Sequence, residues 1–67
     1  MGAGSAYTKA QAREEIAQRR LLIGQRQAQL TNKSLSPNTR YLIKSEISHL
    51  RDEIAKIRAR IPSLPSK

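Results

Sequence analysis

The chemistry open to this chain lies with its cations. Thirteen Lys and Arg stand against five Asp and Glu and one His, a net charge of +8 on 67 residues. Such an excess opposes its own compaction and draws the chain toward polyanions: nucleic acid first, an acidic protein surface second, an anionic membrane third. The other reactive side chains point away from catalysis. His49 stands alone, the five carboxylates are scattered, and there is no Cys. No metal-ligand spacing, Gly-rich phosphate loop or nucleophile–base pairing occurs, so neither an enzyme nor a bound metal or cofactor is expected. With two Tyr and no Phe or Trp, the chain also lacks the aromatic platforms on which bases stack. A nucleic acid would be held by its backbone, without reading of sequence.

Two helices must position these cations. Thr8-Lys9-Ala10-Gln11 fits a capping box, with a hydroxyl at N-cap and Gln at N3. Good helix formers continue to Leu30, and Asn32 is placed to end the helix in the left-handed conformation. Gly24 is the one weak residue inside. Ser36-Pro37 starts a second helix, with Ser at N-cap and Pro at N1, and Pro62 stops it. The sequence predicts a flexible segment over 1–7, a helix over 8–31, a turn over 32–36, a helix over 37–61 and an extended tail over 62–67. A turn this short makes the helices antiparallel neighbours. The expected fold is all-α, a coiled-coil-like helical hairpin open to completion into a bundle by another copy or a partner, since so small a domain buries little surface.

The second helix carries the clearer pattern. Ile43, Ile47, Leu50, Ile54, Ile57 and Ile61 follow a 4-3-4-3-4 spacing, the seam of a coiled coil. In the first helix Ile16, Ile23 and Leu30 recur every seven residues, with Ala12, Arg19 or Arg20, and Gln27 between them. On its opposite flank Ala10, Ala17 and Gly24 also repeat at seven. That smooth flank would let another helix approach closely, although Ala is also simply a good helix former.

Folding the helices together sorts the charges. In an antiparallel pair joined through this turn, facing residues have numbers summing to about 70–72. Arg19 then falls opposite Glu53 and Arg26 opposite Glu46, two cross-helix ion pairs that set the register. On the other edge Arg13 falls near Arg58, Arg20 near Arg51 and Gln27 near Lys44, with no acid among them. Lys9, Arg13, Arg20, Lys44, Arg51 and Arg58 therefore form a ridge of like charge. One reading makes it a solvated face whose long stems cover the seam. The other makes it an anion-binding surface, and its four Arg against two Lys suit the forked recognition of phosphate.

The stretch His49-Leu50-Arg51-Asp52-Glu53-Ile54-Ala55-Lys56-Ile57-Arg58 resembles the second helix of a small helical-hairpin protein family of the bacterial large ribosomal subunit. The first helix lacks that family's Leu-Arg stretch. Head-completion proteins of tailed phages are similarly small, basic and two-helical, but a β-hairpin links their helices, and Thr31 to Ser36 leaves no room for one. The resemblances imply a component of a virion or ribonucleoprotein particle. The leading expectation is a structural or assembly protein that binds nucleic acid backbone or another acidic surface through the ridge. The alternative is an oligomerisation module, acting through helix two or the Ala10/Ala17/Gly24 flank, or an adaptor or inhibitor docking on an acidic protein without nucleic acid. No apolar run reaches the ~20 residues of a membrane span. Met1 to Ala6 has neither the basic nor the apolar region of a signal peptide. An intracellular, soluble location, cytoplasmic or within a particle, is expected.

Overall fold

The computed structural model describes residues 7–66. They form two antiparallel helices, α1 (Lys9–Leu30) and α2 (Pro37–Arg60), followed by a 3-10 turn over Ile61–Ser63. The fold is the all-α hairpin, about 50 × 20 × 16 Å.

Each helix starts where its side chains cap it. The Gln11 backbone N–H donates to Thr8 Oγ1 at 3.3 Å, and the Thr8 N–H donates to Gln11 Oε1 at 3.0 Å. Thr8 itself stays extended, so α1 begins at Lys9. Ser36 Oγ accepts from the Thr39 N–H at 3.2 Å, with Pro37 in the first turn.

The end of α1 departs from expectation. No non-Gly residue among those described has a positive φ, so Asn32 is not left-handed. Local backbone bonds and side chains close the helix instead. Thr31 Oγ1 donates to the Ala28 carbonyl at 2.7 Å. The Arg40 guanidinium donates to the carbonyls of Leu30 and Asn32, both at 3.1 Å. Asn32 Oδ1 accepts from the Ser34 N–H at 2.9 Å, an Asx turn that starts the connection. The Thr31 and Asn32 N–H groups donate to the Ala28 and Gln29 carbonyls at 3.2 and 3.1 Å, so with Arg40 on Leu30 these carbonyls are satisfied without a left-handed cap.

Both chain ends also differ from the sequence reading. Residues 1–6 of the segment expected to be flexible lie outside the described residues, as does Lys67 of the tail. Tyr7, the last residue of that segment, packs against the core. Its hydroxyl donates to Glu15 Oε1 at 2.6 Å, and the Arg60 guanidinium lies 5.0 Å from its ring centroid. The tail is not extended from Pro62 onward. Pro62 sits early in the 3-10 turn, where its fixed φ fits and its missing N–H is not needed. Leu64 then packs on the core, and the Pro65 carbonyl accepts from the Lys9 N–H at 2.9 Å. The tail thus satisfies one of the unpaired N–H groups at the start of α1.

The hydrogen bond to Glu15 raises the Tyr7 pKa above its ordinary 10.0, with desolvation and the Glu15 charge adding and the Arg60 and Arg19 charges opposing. The folded state favours the neutral phenol. This contribution is therefore complete below pH 10 and is lost as pH rises through the raised folded value. Thermal melts across pH 9 to 12 should show less alkaline destabilisation for Tyr7→Phe than for the parent chain.

The core is one cluster along the helix–helix contact. Ala12, Ile16 and Ile23 of α1 are buried with Ile43, Ile47, Leu50, Ile54 and Ile57 of α2. Leu30 and Ile61, at the ends of the expected seam, are half-buried against it. Nothing lies within 4 Å of where a Cβ on Gly24 would stand. Gly24→Ala should therefore stabilise the hairpin by about 1 kcal/mol, the difference in helix propensity, read as a higher melting temperature.

Candidate anion-binding furrow

The seam leaves two edges of opposite character. On the first, Arg19 Nε donates to Glu53 Oε1 at 3.1 Å and Arg26 Nε to Glu46 Oε1 at 2.9 Å. Arg19 also donates to the Glu15 carbonyl at 3.2 Å. His49 Nε2 lies 3.4 Å from the other oxygen of Glu53, one helical turn away, and is largely exposed. These partly exposed pairs contribute under ~1 kcal/mol each, but they bring together the residues that antiparallel pairing predicted. They also settle the ambiguous positions of α1. Arg19 and Arg26 are half-buried beside the seam, whereas Arg20 and Gln27 are exposed on the far side.

On that far side two concavities lie end to end. One, of about 390 Å³, is lined by Arg20, Ile23, Gln27, Arg51, Ile54, Ala55 and Arg58. The next, of about 270 Å³, is lined by Arg13, Ile16, Ala17, Arg20, Arg58 and Ile61. Arg20 and Arg58 belong to both. Together they make an open furrow lined by four arginines, by the seam residues Ile16, Ile23, Ile54 and Ile61, and at its margins by the exposed Ala17 and Ala55. No carboxylate or aromatic residue lines it among the described residues.

Four of the six ridge residues are therefore brought together: Arg13, Arg20, Arg51 and Arg58. Lys9 and Lys44 line neither concavity. Lys9 is the first residue of α1, half-buried and tied through its backbone to the tail. Lys44 is exposed on α2. The sequence reading did not foresee Ala17 and Ala55 as part of this surface. Both are exposed, and their place beside the arginines is visible only once the helices are paired.

Such a surface can bind anions without performing covalent chemistry. A guanidinium offers five donors in a rigid fork that matches phosphate oxygens, and here forks from two helices face a common channel. No helix among the described residues is long and apolar enough to cross a membrane. Comparison of the chain with protein families, curated proteins and solved structures gives no match.

Proposed function

We propose that this chain is a non-catalytic assembly protein whose arginine-lined edge binds the phosphate backbone of nucleic acid within a larger particle, a virion or a ribonucleoprotein. The observation that carries this reading is the segregation of charge: Glu46 and Glu53 engage Arg26 and Arg19 on one edge, while four arginines share an acid-free furrow on the other. Like charges in one channel repel, and a phosphate chain between them removes that repulsion. Engagement of phosphates by the four furrow arginines corresponds to a log–log slope of affinity against salt of roughly −3 on a single strand, and at most about −4 on duplex DNA. A salt titration with generic nucleic acid tests the reading. No binding at low salt overturns it and leaves an acidic protein surface as the partner class.

A second reading, self-association, rests on the outer face of α1. Ala10, Ala17 and Gly24 are exposed there, together with Leu21 at 64 %. The other oligomerisation mode, a parallel dimer through α2, would use Ile43, Ile47, Leu50, Ile54 and Ile57, which are buried in the hairpin, and so requires α1 to be displaced. Sedimentation over a wide concentration range discriminates: a chain monomeric throughout excludes both modes.

A further inference from the structure

Arg20 and Arg58 line both concavities, so the two adjoin at these side chains along one edge of the hairpin. The furrow's walls are the helices themselves. Arg13 and Arg20 on one wall, and Arg51 and Arg58 on the other, are each seven residues apart, about 10.5 Å at 1.5 Å per residue. A chain lying in the furrow must therefore run straight over at least that distance to meet both pairs.

From this geometry we infer that the furrow takes single-stranded nucleic acid in preference to duplex, phosphates inward and bases outward; the inference rests on the phosphate-binding function proposed above. A strand of B-form duplex advances about 3.4 Å per phosphate along the axis. At 10–10.5 base pairs per turn, it winds through about 110° over the ~10.5 Å between one arginine and the next on the same wall. It leaves a straight channel after the first seat. The second strand of a duplex, across a groove of ~6 or ~12 Å, would need another row of available cations. On the hairpin's other edge Arg19 and Arg26 are already engaged by carboxylates. A single strand carries no imposed winding and can follow the channel through both seats. Neither Tyr7 nor Tyr41 lines the furrow, so the bases find no stacking platform there, and contacts confined to phosphates carry no sequence information.

Fluorescence anisotropy on the full chain at low salt tests this, with polythymidine of about 20 nucleotides against a mixed duplex of equal length. One additional charge-assisted phosphate contact corresponds to about ten- to a hundredfold tighter binding of the single strand. Arg20→Gln with Arg58→Gln should remove most of that preference, because these two residues join the seats. Duplex bound as tightly as single strand, or more tightly, overturns the inference while leaving the phosphate-binding function standing. Failure of both probes to bind, with polyglutamate binding instead, overturns both. A preference for single strand that survives the double substitution places the strand elsewhere and overturns the assignment to the furrow.

Discussion

Ile54→Ala strips the isolated hairpin of most of its helical circular dichroism near room temperature. Ile54 lies midway along α2, is 8 % exposed, and belongs to the single core cluster while also lining the furrow. Truncating a buried Ile to Ala costs about 2–5 kcal/mol, the transfer loss plus the cavity left behind. A single core in a domain this small supplies no more than about 3–5 kcal/mol, and no disulfide supports it. The expected loss is thus comparable with the whole stability. Arg51→Ala, three residues earlier, should leave the circular dichroism unchanged, because Arg51 is exposed and lies among like charges. The reverse pattern, with Ile54→Ala folded and Arg51→Ala unfolded, would mean that the inner and outer faces of α2 are interchanged.

Arg20→Glu combined with Arg58→Glu is expected to abolish nucleic acid binding while making the fold more stable. The two residues line both halves of the furrow, with Arg51 and Arg13 as the remaining cations. Reversing them converts like-charge repulsion across the channel into attraction, at most ~1 kcal/mol per exposed pair. Two phosphate contacts are lost at the same time, each a charge-assisted hydrogen bond of ~1.5–3 kcal/mol, so affinity falls at least a hundredfold. Melting curves and anisotropy on the same sample check both halves. A variant that melts lower and binds equally well would leave the furrow without a role in either.

Periodicity explains why much of this architecture is legible in the sequence. The unbroken spacing from Ile43 to Ile61 defines a stripe, and a short turn ending in Ser36-Pro37 makes the helices antiparallel. Those two facts suffice to pair Arg19 with Glu53 and Arg26 with Glu46, and to gather Arg13, Arg20, Arg51 and Arg58 on the opposite edge. Features that depend on a few non-periodic contacts are not legible in this way. The packing of Tyr7 needs Glu15 and Arg60 together, from opposite ends of the chain. The return of the tail rests on the packing of Leu64 and one backbone hydrogen bond from Lys9 to Pro65. The close of α1 involves Arg40, which reaches back across the turn to the Leu30 and Asn32 carbonyls where a left-handed Asn32 was expected to end the helix. Lys9 and Lys44 share the ridge's face of the pair but line neither concavity, which periodicity alone does not delimit.

The central claim is that the furrow, and not the overall positive charge, binds the polyanion. Two double variants of equal charge separate these possibilities: Arg20→Gln with Arg58→Gln in the furrow, and Arg19→Gln with Arg26→Gln on the paired edge. Each lowers the net charge from +8 to +6. The measurement is the slope of log affinity against log salt on single-stranded DNA for the parent and both variants. Each phosphate contact contributes about 0.7 to that slope on a single strand. The furrow variant should therefore lose about 1.4 of its slope, while the paired-edge variant keeps the parent's. Equal losses in the two variants would contradict the account, since binding would then follow net charge rather than the arrangement of Arg13, Arg20, Arg51 and Arg58.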